Sequence, residues 1–214
     1  MRARPLLIAV GTGFLAGAAA SGFDTYCRYR AYRSDGDVFW LWNAGFFLAA
    51  VLLAVPIVLF VSLLCLLLRR LRPGGVVGLL FSATLLIGFV LTPRADSFRV
   101  RGMRTIISNG KPLIAAIHRY HAVHGAWPPD LRPLVPTFLP AIPQTGLAAF
   151  PAFDYVVGPD ASNQYHGNPW VVRVSTPSGG INWDQLIYYP RQNYPRIGHG
   201  GYLEPIQDWA YVHE

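Results

Sequence analysis

The sequence predicts a membrane anchor of three helices followed by an α+β domain, in which one long helix packs on a small antiparallel sheet. Three observations carry that prediction. Three apolar stretches fill residues 1–92. The character changes at Pro93, after which charges, prolines and aromatics mix as in a water-soluble domain over residues 93–214. Within that second part, a helical apolar repeat precedes short runs with the two-residue alternation of strands.

The first membrane helix is expected at about 5–21. Met1-Arg2-Ala3-Arg4 is a basic start, the middle is apolar, and Ala18-Ala19-Ala20 is small. That pattern fits a cleavable signal peptide as well as a membrane helix. A retained helix is preferred, because the apolar part is long and two more segments follow. The second is expected at about 44–68, where Ala44 to Leu68 carries no charge. It exceeds the roughly 20 apolar residues that a bilayer core needs. Pro56 lies inside it, as membrane helices tolerate, and Phe39, Trp40 and Trp42 precede it like an interfacial aromatic belt. The third is expected at about 76–92. Gly75, Gly78 and Gly88 give it a small-sided face suited to close packing. Arg69-Arg70-Leu71-Arg72-Pro73-Gly74 is so short a link that the second and third helices must form an antiparallel hairpin.

Arginines near helix ends set orientation. Placing Arg2, Arg4, Arg69, Arg70 and Arg72 in the cytoplasm puts the loop expected over 23–43 outside, and the domain with it. Arg94, Arg99, Arg101 and Arg104 favour the opposite sense. The expected location is therefore a bacterial inner membrane, with several passes and a periplasmic C-terminal domain. The bacterial part rests on composition: of the 18 basic residues only Lys111 is a lysine, as in products of GC-rich genomes.

The net charge of +7 does not point to nucleic acid. Residues 1–93 hold eight arginines and three acids, whereas residues 132–214 hold four basic residues and six acids. Basic residues thus gather near the membrane, where lipid headgroups are the natural counter-charge. The expected partners are the bilayer and an envelope protein. Cys65 sits in the second membrane segment and Cys27 in the loop expected after the first, so no disulfide and no metal-ligand spacing is expected.

In the domain, Leu113, Ile114, Ile117 and Tyr120 recur at helical spacing, and Gly125 is the expected stop. Ser108-Asn109-Gly110-Lys111-Pro112 reads as a break before this helix, with Pro112 as its first residue and another helix over 94–108. Asp130 is placed to cap a short turn. Strands are expected at Phe153–Val157, Trp170–Ser175 (half-buried), Gln185–Tyr189 and Trp209–Val212, with Gly179-Gly180 turning between the second and third.

Over Ile114 to Pro143 the chain resembles the globular domain of type IV pilins and type II secretion pseudopilins. The carrying residues are Ile114 to Tyr120, His124-Gly125-Ala126-Trp127-Pro128, Leu131, Leu134-Val135-Pro136, Phe138-Leu139 and Ile142-Pro143. Tyr120, Gly125, Trp127 and Pro128 are the fold motif: a tyrosine on the core, a glycine stop and an aromatic-proline turn. At the level of layout the resemblance extends over about 76–190. It implies a membrane helix continuing into the domain's helix, with Pro93 as a bend. Two hydrophobic segments precede that helix, and Val76-Val77-Gly78-Leu79-Leu80 holds no acidic residue where pilins place their assembly glutamate. The resemblance implies a fold rather than a filament.

Candidate chemistry is sparse. His118, His121 and His124 share an arc of the helix and are the metal candidates, although positions six apart are nearly two turns apart. Asp154, Asp160, Asp184 and Asp208 are scattered oxygen donors without calcium-loop spacing. Ser162, Ser175 and Ser178 lie in no nucleophile pattern. No cofactor and no enzyme activity are expected. The interaction candidates are Trp183, Tyr188, Tyr189, Tyr194, Tyr202 and Trp209, which crowd the C-terminal region. Besides protein binding, this leaves two readings: an envelope sensor or ligand-binding module using those aromatics, and a metal-dependent envelope enzyme using the histidines.

Overall fold

A computed structural model describes residues 3–91, 96–177, 182–198 and 201–213. The seam at Pro93 and the turn at Gly179-Gly180 lie outside the described residues. The chain forms two compact units, Met1–Tyr29 with Trp40–Asp96, and Arg30–Phe39 with Ser97–Glu214.

The first unit is built on α1 (Ala3–Ala31), α2 (Phe39–Leu67) and α3 (Arg72–Leu91). All three are long and apolar enough to cross a membrane. Their bounds correct the sequence reading. α1 runs past Ser21 to Ala31, so the loop expected over 23–43 shrinks to the residues between Ala31 and Phe39. The charges there end the apolar run but not the helix, because Asp24 and Arg28 pair one turn apart at 3.0 Å. α2 starts earlier, at Phe39, whose backbone N–H donates to Asp37 Oδ1 at 2.9 Å. Trp40 and Trp42 are therefore helical.

Glycines bring these helices into backbone contact. A Cβ on Gly75 would lie 2.7 Å from the Ser62 carbonyl oxygen, and one on Gly78 would overlap the Ser62 hydroxyl. These positions seat α3 against α2. On its other side, side chains at Gly13 and Gly17 of α1 would strike the carbonyls of Phe81 and Leu85, and one at Gly88 would strike that of Phe14. The contact positions rise together along both helices, so α1 and α3 run parallel, with α2 antiparallel to α3. Lipid tails are as apolar as leucine, so close van der Waals approach at small residues is what holds such helices together.

In the second unit, α4 (Asp96–His124) is one continuous helix. The break expected at 108–112 does not occur, and Pro112 lies inside the helix. The proline removes one bond to the carbonyl of Ser108, an exposed residue. Meanwhile Met103, Ile106, Ile107, Leu113, Ala116 and Ile117 are all fully buried along one face, and that packing outweighs the local propensity. Gly110 belongs to the same face, where an added Cβ would come within 3.1 Å of Trp209 and 3.2 Å of Phe153. Gly125 ends the helix as expected: its φ is +70°, and its N–H donates to the His121 carbonyl at 2.8 Å.

Strands β1 (Asp154–Val157), β2 (Trp170–Ser175), β3 (Gln185–Tyr188), β4 (Ile197–Gly198), β5 (Gly201–Ile206) and β6 (Trp209–His213) form one antiparallel sheet in the order β1-β2-β3-β6-β5-β4. The register places Trp170, Val172, Val174, Leu186, Tyr188, Trp209 and Tyr211 on one side and Asp154, Val171, Arg173, Gln185, Ile187, Ala210 and Val212 on the other. The first set shares the α4 side, as the approach of Trp209 to Gly110 shows.

β2 departs from the half-buried expectation, because Val171 is as fully buried as Val172. A second cluster covers that other face: Tyr165, Val171, Ile187, Tyr189, Ala210 and Val212. The short helix α5 (Pro159–Gln164) leads into Tyr165. Asn168 ties Tyr165 to the chain after β3, donating to the Tyr165 carbonyl and Asn193 Oδ1 at 2.7 Å each. Finally, Arg30–Phe39 is part of this unit. The Tyr32 ring lies 5.8 Å from that of Phe150, and the Ala148 N–H donates to the Ser34 carbonyl at 3.2 Å.

Candidate functional site

The sheet face away from α4 is apolar at one end and polar at the other. Arg173 alternates with Val171 along β2, while Asp154 of β1 is its cross-strand neighbour and Ser175 and Gln185 pair between β2 and β3. These four, with Trp183, line a shallow cleft of about 220 Å³. Arg173 is held in place: an Nη1 hydrogen donates to the Tyr165 hydroxyl at 2.9 Å, and Nε lies 3.8 Å from Asp154 Oδ2. Trp183 is 69% exposed, so the indole is not part of the core. An exposed indole beside a guanidinium, a carboxylate, an amide and a hydroxyl offers a flat apolar surface ringed by donors and acceptors. That arrangement can hold a small polar ligand with an apolar face, or anchor a protein side chain.

The other aromatic candidates are placed differently. Tyr188, Tyr189 and Trp209 are buried. Tyr188 lies between Trp170 and Trp209 at 5.7 and 5.4 Å. Tyr194 stacks on Tyr189 at 4.7 Å, accepts from the Tyr189 N–H and donates to the Asp208 carbonyl, both at 2.8 Å. Burial pushes the hydroxyls of Tyr189 and Tyr194 well above the usual tyrosine range. These side chains build the fold, so an interaction surface made of all six residues is corrected to Trp183 and Tyr202, the two that are exposed.

The histidines form ring contacts rather than a converging set. His121 stacks on Trp127 at 3.8 Å, and His124 stacks on Tyr120 at 4.1 Å. His118 is exposed and makes T-shaped ring contacts with Trp127 and Trp170 at 5.7 and 5.4 Å. Partial desolvation by these rings, together with the nearby His121, holds its pKa below the usual histidine value. Tyr120 and Trp127 are half-buried, with Tyr120 on Phe138 at 5.6 Å, and Pro128 is buried. Among the described residues no group of three or more His, Cys, Asp or Glu side chains is placed to hold a metal ion. The four aspartates are also apart. Asp154 lines the cleft, Asp160 starts α5 and Asp208 sits in the β5–β6 turn, while Asp184 is buried and accepts from the Tyr211 hydroxyl at 2.9 Å.

A polar cluster escaped the sequence reading altogether. Arg99 on α4 donates to Glu204 Oε2 at 2.8 Å, and His213 Nε2 lies 2.8 Å from the same oxygen. The Arg99 guanidinium also lies 4.7 Å from the centre of the Tyr211 ring, and Tyr202 stacks on His213 at 4.2 Å. Burial pushes the Glu204 carboxyl up, but the hydrogen bonds from His213 and Arg99 outweigh it and leave its pKa low. The signal was present in the spacing Tyr202, Glu204 and Tyr211, His213, which alternates as strands do. Recognising it required knowing that the tail after Asn193 is a hairpin of the same sheet.

No family model, curated protein or solved structure matches this chain.

Proposed function

We propose that this chain is a non-enzymatic, multi-pass protein of the bacterial inner membrane that presents a pilin-like periplasmic domain to another envelope protein. One observation carries the reading. The segment Arg30–Phe39 folds into the same unit as the domain beginning at Ser97. In the chain these two stretches are separated by α2 and α3, two helices able to cross a membrane. Two crossings return the chain to the side it left, which is the condition for the loop and the domain to fold together. The parallel course of α1 and α3 supports the same three-pass path. It also gathers Arg4, Arg69, Arg70 and Arg72 at one end of the bundle, and arginine-rich ends favour the cytoplasm. The sequence of a long helix, a proline-punctuated connection and an antiparallel sheet on one helix face supports the pilin-like part as layout.

A C-terminal alkaline phosphatase fusion tests the orientation. Activity is expected, and an inactive fusion of normal abundance overturns the periplasmic reading. Photo-cross-linking in cells from position 183 or 202 tests the partner, with a discrete protein adduct as the expected outcome.

The Trp183 cleft favours a second reading, a ligand-binding module. A thermal-shift screen of glycans and peptides should then give a hit that Trp183→Ala abolishes. A screen without hits leaves the protein-binding reading in possession of the cleft.

A further inference from the structure

We propose that the bundle carries a binding site for an anionic phospholipid, with one acyl chain between α1 and α3 and the headgroup on the arginines at the same end. This rests on the reading that α1, α2 and α3 lie in a bilayer. The acyl site is a groove of about 420 Å³ lined by Pro5, Ile8, Ala9, Thr12, Val77, Gly78 and Phe81. It opens where the backbone contacts of Gly13, Gly17 and Gly88 end. The lining is apolar in effect, because its one hydroxyl, on Thr12, donates to the Ile8 carbonyl at 2.7 Å. A hydroxyl that is already satisfied asks nothing of a ligand, so a hydrocarbon chain suits the groove.

The mouth of the groove is basic. Arg4 immediately precedes Pro5, and the parallel register of α1 and α3 brings that end level with Arg72 and the α2–α3 turn holding Arg69 and Arg70. All four side chains are exposed. Arg72 uses Nε on the Leu66 carbonyl at 3.0 Å, which fixes it beside the turn. Residues 1–20 and 60–80 contain no aspartate or glutamate. Among the described residues none of the four arginines forms an ion pair, whereas Arg28 and Arg33 near the other helix ends pair with Asp24 and Asp35. Unpaired arginines over an interhelical groove suit a phosphate-bearing headgroup. A partner helix would account for the groove but not for the charge.

The test uses the full chain in a neutral detergent, titrated with dioleoyl phosphatidylglycerol or dioleoyl phosphatidylcholine and read by native mass spectrometry. The phosphatidylglycerol complex should dominate. The double variant Arg69→Gln/Arg70→Gln should weaken it by about tenfold while leaving the weak phosphatidylcholine binding unchanged. Ile8→Trp should block the acyl site and reduce the bound lipid. Ile8 is 55% exposed, so this change fills the groove without disturbing the bundle. Equal binding of the two lipids, or a preference that survives both variants, means annular lipid only and overturns the site. Carbonate washing of membranes separates the two levels. Release of the protein sinks the anchor, while retention without headgroup preference sinks only the lipid site.

Discussion

In the bundle, helices meet backbone to backbone at Gly13, Gly17, Gly75, Gly78 and Gly88, while the domain fills its interior with Trp170, Trp209, Tyr189 and Tyr211. On the proposed reading that the bundle lies in a bilayer, each half uses the residues its solvent makes useful. Among lipid tails apolar side chains gain nothing from leaving solvent, so helices are held by close contact, and small residues permit it. In water, burying large apolar area is the main driving force. The domain has no disulfide to help it, since residues 93–214 contain no cysteine. Its aromatics supply that area, and their polar ends find partners, as the Tyr211 hydroxyl does at Asp184.

The contrast breaks most readily in the domain. Trp209→Ala empties a fully enclosed site between Gly110, Phe153 and Tyr188 and should cost about 3–5 kcal/mol. Denaturation of the full chain, followed by near-UV circular dichroism, would show it, with helical signal from the bundle retained. A loss under about 1 kcal/mol would mean that Trp209 is not central to the core. Gly17→Leu probes the other half. Its side chain would strike the Leu85 carbonyl, and overpacking of this kind costs about 1–3 kcal/mol. Thermal melting in detergent should lose its bundle transition while the domain transition stays. A variant that melts like the parent would show that α1 does not depend on this contact. Glu204→Gln comes next. It leaves the Arg99 guanidinium enclosed without its counter-charge, but Glu204 is itself about a third exposed, so a loss of about 1–2 kcal/mol is expected. The measurement is the domain's unfolding midpoint at neutral pH.

How much was legible follows the same division. The three long apolar helices were readable because a long uncharged run has the length and composition to cross a membrane, and only their ends moved. Asp24 and Arg28 looked like the start of a loop, yet their spacing suits a helix as well as a loop, and only the structure chooses. In the domain, the strands at Trp170–Ser175 and Trp209–Val212 lie where they are expected, but the half-buried alternation of the first gives way to a strand covered on both faces. Pro112 sits inside the helix rather than at its start because the packing of Ile106, Ile107, Leu113 and Ile117 on both sides of it outweighs a proline's local cost, and that packing is not visible in the local sequence. The Trp183 cleft was half legible. Trp183 was singled out as an aromatic, but Asp154, Arg173 and Gln185 come from three strands whose register no local pattern reveals. The Arg99–Glu204–His213 cluster was illegible for the same reason, since Arg99 and Glu204 meet from opposite ends of the domain's sequence. The docking of Tyr32 on Phe150 was also hidden, because two long apolar helices intervene.

The smallest expected effect is on pH dependence, and it separates the two halves because both groups involved lie in the domain. His118 has its pKa held below the ordinary 6.5, first by partial desolvation against Trp127 and Trp170 and then by His121. The unfolded chain therefore binds a proton that the folded one resists, and stability falls as pH drops from about 6.5 towards the folded value. Glu204 is also held low, below 4.5, because its bonds to His213 and Arg99 outweigh the opposing effect of burial. Its contribution is present above 4.5 and is lost as pH falls from there through the folded value. Domain stability should thus decline on acidification in two stages, with the bundle's transition unmoved. His118→Gln should flatten the stage just below pH 6.5 and leave the lower one, whereas Glu204→Gln should do the reverse. If His118→Gln left the decline just below pH 6.5 unchanged, the ring's contact with the two tryptophans would not be what resists the proton.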